Sequence, residues 1–302
     1  MQEDFIFPPV KQPGQLIHYA AIVGLLFTGI FGLTQAFQAS IGPAFLFYLL
    51  LSLLSFVLTS LLIYRAYSLR TAFYQLQRDG VVLRWGLRWE EIPMNAIQWV
   101  HPTDELNVRL PLPWLRWPGA VLGVRHLSGA GSVEYLASTS RNLVAVATQE
   151  RIFVVSPADT QSFLHTYQRL TEMGSISPFE ARSIHPATFL RRVWSSPAAR
   201  ILLLSGALLS LALLAGVSLA IPTRPQIPLG FHPDGTPGDL VPSARLLLLP
   251  VLNTLIFLTD LLGGMFFFRR QESQLLSYLL WAGGALTPLL FTLGVVFILR
   301  AA

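Results

Sequence analysis

Asp260 is the residue with the strongest chemical demand. It stands nine residues before Arg269, inside a long apolar stretch with no other charge. At 1.5 Å of rise per helical residue that separation is roughly 13–14 Å, which places the acid near the centre of a bilayer. An acid at that depth costs roughly 2.5–3.5 kcal/mol on insertion scales. It is therefore expected to face other helices and to have a partner there. Asn253 and Gly264 share its helical face at i−7 and i+4, and Thr287 or Thr292 is the expected donor from the next apolar stretch. Two readings follow. The acid is a proton or cation site, or a polar switch; or it is a protonated group hydrogen-bonded between helices as packing glue.

The second set of candidates is cationic and aromatic. Arg109 to Gly119, RLPLPWLRWPG, interleaves Arg109 and Arg116 with Trp114 and Trp117 and three prolines. Trp and Arg favour the headgroup zone of a membrane. The segment is either a loop that dips into the inner leaflet or grips a partner, or a proline-stiffened loop that covers its own domain. Arg84 and Arg88 flank Trp85 and suit an anion, yet Glu90 and Glu91 follow at once and suit a solvated, balanced face. Arg191 and Arg192, with Arg182 and Arg200 around them, stand where anionic lipid would contribute about 1 kcal/mol for each cation. They also satisfy topology alone, and the two roles are compatible.

No catalytic motif is legible. The chain has no G-x-S-x-G, no Walker loop, no H-E-x-x-H and no G-x-G-x-x-G. Gly129-Ala130-Gly131 reads as a turn between strands. His101, His126, His165 and His185 lack metal-ligand spacing, and the absence of cysteine removes disulfides, thiolate metal sites and Cys nucleophiles. No cofactor is expected. Residues 65–200 hold 15 cations against 10 acids with no basic run, which disfavours nucleic acid.

These residues need elements to hold them, and composition names the medium. Of 302 residues, 53% are apolar and 12% are charged, about half the charged share of an ordinary soluble domain. A helix needs about 20 apolar residues to cross the hydrocarbon. Five segments qualify: Leu16–Phe37, Pro43–Tyr64, Ile201–Ile221, Leu246–Phe268 and Leu275–Leu299. None contains Lys or Arg. The first is expected to be a retained span, because no basic region precedes it and no small-residue cleavage site follows it. His18 lies near its entry, an ordinary place for an interfacial histidine. Placing the cation-rich segments in the cytoplasm leaves 18 cations inside and 3 outside. The N-terminus is then inside and the C-terminus outside.

Residues 72–171 are a different material. TAFYQLQRDGVVLRWG alternates, turns at Asp79-Gly80 and alternates again, as a hairpin does. LRWEEIP is a third strand. Further strands are predicted near 96–101, 120–125, 132–137, 143–148 and 151–155. Ser156 is the expected N-cap of a helix through about Met173, with Pro157 at its first position. Phe163, Tyr167 and Leu170 form its buried stripe. The prediction is a small β-barrel closed by a C-terminal helix.

That order of elements resembles a bacterial pleckstrin-homology (PH) domain. The carrier is Arg116 to Phe163: a Pro-Gly and a Gly-containing strand, an aliphatic strand after a Ser/Thr-rich turn, then Val-Ser-Pro-x-Asp opening the last helix. The resemblance implies a fold and a binding role at a bacterial inner membrane, without a named ligand. A second stretch, Ile221 to Pro250, resembles a membrane module of unknown function that also occurs in a bacterial toxin-immunity family. Pro228, Phe231 and Gly235 match its proline-rich outer loop, with His232 displaced by two positions.

The reading is an α-helical integral membrane protein of five spans with an inserted PH-like barrel. Residues 1–67 form a transmembrane hairpin, 68–175 the cytoplasmic PH-like domain, 176–200 a basic linker, and 201–302 a three-span module with outer loop 222–245. The expected function is a non-enzymatic, membrane-anchored binding or regulatory protein. Its partners would be the bilayer and a protein or anionic lipid at the inner face. The alternative is a transport-like or immunity-like protein working through spans three to five and Asp260.

Overall fold

The computed structural model describes residues 5–106, 110–114, 116–127, 131–175, 180–184, 187–228 and 238–301. A short strand, β1 (Phe5–Phe7), precedes the long helices α1 (Gln12–Gln38) and α2 (Pro43–Thr71). Strands β2 (Phe73–Gln77), β3 (Gly80–Trp85), β4 (Arg88–Pro93) and β5 (Ile97–Pro102) follow. Then come β6 (Arg116–Trp117), β7 (Ala120–Leu127), β8 (Gly131–Ala137), β9 (Val144–Thr148) and β10 (Arg151–Val155). Helix α3 (Thr160–Met173), strand β11 (Arg182–Ile184) and helix α4 (Ala187–Ser195) lead to α5 (Pro197–Ala220). A ribbon of β12 (Gln226–Pro228) and β13 (Leu240–Pro242) joins it to α6 (Leu248–Phe268) and α7 (Gln274–Ala301).

Among the described residues five helices are long and apolar enough to cross a membrane. They carry exposed leucine, phenylalanine and valine around their circumference (Phe27 is 72% exposed and Leu208 70%), a surface water would not tolerate but lipid would. The chain divides into two compact units. One comprises Met1–Phe27 and Ser55–Pro186, the other Thr28–Leu54 and Ala187–Ala302.

In the first unit the strands form two sheets. One has the order β1-β2-β3-β4-β11, the other β5-β9-β10-β8-β7-β6. The core between them draws Tyr74, Leu76 and Leu83 from the first sheet and Leu136, Val146 and Phe153 from the second, with Phe163 and Leu170 of α3. The β-rich domain is present. A single closed barrel is not found among the described residues, because the turn at Met94–Ala96 separates β4 from β5 and β5 pairs with β9 instead. Tyr74 spans the two sheets: its hydroxyl donates to the Leu136 carbonyl at 2.6 Å and accepts from the Ser156 amide at 3.3 Å. Burial pushes that phenol well above its ordinary pKa.

Local chemistry corrects two details. The β2–β3 hairpin turns on Arg78-Asp79, with Gln77 paired to Gly80. Arg78 reaches the last carbonyls of α3, those of Gly174 and Met173, at 2.7 and 2.8 Å, a favourable site for a cation. Helix α3 starts at Thr160 rather than at Pro157, and its N-cap is Asp159. Its carboxylate accepts from the Ser162 amide at 3.0 Å and the Ser162 hydroxyl at 2.6 Å. These bonds hold the Asp159 carboxyl below its ordinary value. Their contribution is present above the ordinary value and fades as pH falls through the lowered one. Ser156 is instead buried, accepting from the Ser138 amide at 2.8 Å.

In the second unit α5, α6 and α7 pack closely. A Cβ on Gly206 would lie 3.2 Å from the Gly284 carbonyl oxygen, and one on Gly264 would strike the Trp281 indole. Small residues at such crossings let helices approach where lipid offers no hydrophobic drive.

Candidate membrane-face site

The Arg–Trp segment splits into two jobs. Leu110 and Leu112 pack on the outer face of the second sheet, against a cluster that includes Val133, Ala145 and Val154. That half is a cover. Beyond it Trp114 is 89% exposed, and Arg116 and Trp117 form β6 on the edge of β7. Arg109 lies outside the described residues.

The turn after β6 is pressed against the long helices. Gly119 has φ +82°, a conformation that favours glycine. A Cβ there would lie 2.7 Å from the Gly14 Cα and 2.8 Å from a Leu69 methyl. The first turn of α1, the last turns of α2 and the Pro118-Gly119 turn thus meet at one point. His18, fully buried, donates from Nδ1 to the Gly14 carbonyl over 2.6 Å, and its ring meets Trp117 edge-on at 6.2 Å. Beside this point is a cleft of about 440 Å3, lined by Val10, Pro13, Arg116, Trp117, Ser140 and Arg141. Arg116 and Arg141 are both exposed. Two cations over an apolar and hydroxyl-bearing floor suit an anionic group with a greasy neighbour.

The other basic candidates in this unit are spent on structure. Arg84 lies over the rings of Phe73 and Trp89, at 5.8 and 5.6 Å. Arg88 donates to Glu90 through two nitrogens at 3.0 and 2.9 Å and contacts Glu134 at 2.8 Å. Arg191 and Arg192 are exposed on α4, which belongs to the second unit.

Asp260 packs on α7. Its carboxyl would stand 3.5 Å from a Cβ on Gly283 or Gly284. Thr287 donates to the Gly283 carbonyl of its own helix at 3.0 Å, and Asn253 donates to Ser210 on α5 at 2.8 Å. Neither is brought to the acid. Thr292 likewise donates to Pro288. Pro228 ends β12, paired with Leu240. Phe231, His232 and Gly235 lie outside the described residues.

Reasoning from sequence missed three contributors. Strand β1 pairs with β2 and sends Phe7 into an edge-to-face contact with Phe163, ring centroids 5.3 Å apart. Strand β11 extends the other edge of the same sheet on β4. The Gly14–Gly119 contact had one signal, two Pro-Gly pairs at 13–14 and 118–119. Among the described residues no group of three or more metal-ligating side chains occurs.

No curated protein and no solved structure matches the chain significantly. The resemblance of residues 221–250 to the toxin-immunity module finds no support in these comparisons. Residues 72–171, from the end of α2 into the last turn of α3, match the family of bacterial PH domains.

Proposed function

We propose that the protein is a non-enzymatic, membrane-anchored binding or regulatory protein. Its PH domain recognises a protein or an anionic lipid at the inner face of a bacterial cell membrane. One observation carries the reading: the exposed Trp114–Trp117 rim and its two-arginine cleft stand at the root of α1 and α2. If those helices cross a bilayer, the rim lies at the headgroup level, where Trp and Arg are at home. Photo-crosslinking from position 114 in cells, with the exposed Glu172 position on α3 as control, tests it. A defined lipid or protein adduct from 114 that Arg116→Gln with Arg141→Gln removes is the expected result. Equal adducts from both positions, unaffected by the arginines, would refute it.

Asp260 favours a second reading, a transport-like or immunity-like role for α5 to α7. Its carboxyl faces the glycine pair of α7, and no hydrogen-bond or ion-pair partner for it occurs among the described residues. Under that reading Asp260→Asn abolishes the cellular phenotype while disruption of the rim leaves it intact. Under the first reading the pattern is reversed.

A further inference from the structure

The second unit contains a cleft of about 870 Å3 between α4, α5 and α6. Its walls are hydrocarbon: Leu203 and Ala207 of α5, and Phe257, Leu261 and Met265 of α6. Its mouth is cationic, with Arg191 of α4 and Arg200 in the first turn of α5. The two ends are ordered. Phe268 packs with Val193 and Ala199, which sets the C-terminal end of α6 beside the N-terminal end of α5. Met265, Leu261 and Phe257 then run down α6 at four-residue spacing alongside Leu203 and Ala207.

Helix α4 fixes the mouth. Val193 is 3% exposed and anchors the helix, while Phe189 meets Phe268 edge-on at 6.4 Å. Leu190 and Trp194 stay 57% and 54% exposed at the cleft's edge. Ser196 caps α5 at the Ala199 amide and shares a 3.0 Å hydrogen bond with Tyr278, so the elbow between α4 and α5 is held. Among the described residues neither Arg191 nor Arg200 makes an ion pair.

We propose that this cleft is a binding site for one anionic phospholipid. Its phosphate rests between Arg191 and Arg200, and one acyl chain lies between α5 and α6. Charge complementarity selects the occupant: hydrocarbon walls alone would accept any lipid chain, but two unpaired guanidinium groups at the mouth prefer a headgroup with net negative charge. The site shares no residue with the PH-domain rim and stands whether or not that rim binds lipid.

The test uses the full-length protein in phosphatidylcholine nanodiscs. A minor fraction of phosphatidylglycerol with brominated acyl chains is added, and quenching of Trp194 is read as the difference from Trp194→Phe. Quenching by brominated phosphatidylglycerol should saturate at a mole fraction where brominated phosphatidylcholine quenches little. Arg191→Gln and Arg200→Gln should each shift the midpoint about five-fold to weaker binding. Ala207→Phe fills the cleft without touching charge and should remove the quenching. Equal quenching by both brominated lipids would overturn the proposal. So would a midpoint unmoved by the arginine variants, or quenching that survives Ala207→Phe in a protein with wild-type helicity.

Discussion

Phe7→Ala is expected to destabilise the PH domain by about 3 kcal/mol, the low end for truncating a phenylalanine in a core. The residue lies outside the family match and on the far side of two long helices in sequence. Yet its ring abuts Phe163, which is fully buried, and it packs on the main core of the domain. Phe5 packs there too, with Arg169 over its ring at 4.8 Å. Without β1 the edge of β2 also loses a paired neighbour and becomes a site for association. Ile6 points away, 61% exposed, so Ile6→Ala should change little. Hydrogen exchange of β2 and β3 in the full-length protein distinguishes the two. A fragment of residues 68–175 alone should be markedly less protected than one with residues 4–10 tethered back by a flexible linker. Equal protection of both fragments would show that β1 is ornamental.

The second large effect belongs to Arg88. Its guanidinium joins Glu90 on its own strand to Glu134 on β8, so one cation stitches the first sheet to the second. The two carboxylates are 3% and 9% exposed, and Arg151 assists Glu134 only at 3.6 Å. Arg88→Met leaves two poorly hydrated acids close together. Breaking a buried pair in this way costs about 3–5 kcal/mol, far more than the intact pair contributes. Replacing all three residues, Arg88→Met with Glu90→Leu and Glu134→Leu, should restore most of the loss. Chemical unfolding of the PH-domain tryptophan signal measures both variants. An Arg88→Met protein as stable as wild type would mean that the network is solvated.

Much of this was legible beforehand, for identifiable reasons. The five apolar helices follow from length and the absence of charge. The strands from Phe73 to Val155 follow from period-two alternation and turn residues, except β6, whose two residues lie in what reads as a proline-stiffened loop. The α3 stripe of Phe163, Tyr167 and Leu170 follows from helical spacing. What stayed hidden depends on long-range pairing. Three residues before a long apolar helix carry no periodicity, so β1 could not be separated from an ordinary tail. The parallel pairing of β8 with β10 places β9 on the outer side of β10, and no local pattern encodes that order. Charge balance pointed to a solvated face for Arg88 and Glu90, whereas Glu90 is buried, and Glu134, forty-four residues from Glu90, gave no local signal. At Asp260 the partners were not legible, because Thr287 and Asn253 turn their donors to Gly283 and Ser210.

In the proposed function the PH domain is a binding domain held at the inner face of a membrane that the five apolar helices cross. Because the chain has no cysteine, single cysteines introduced at exposed positions report their own side of the membrane without background. Trp114→Cys and Glu172→Cys sample the PH domain, and Thr223→Cys samples the segment after α5. With a membrane-impermeant maleimide on intact spheroplasts, position 223 should label at once. Positions 114 and 172 should label only after the membrane is permeabilised. Labelling of 114 and 172 in intact spheroplasts, with 223 protected, would contradict the account.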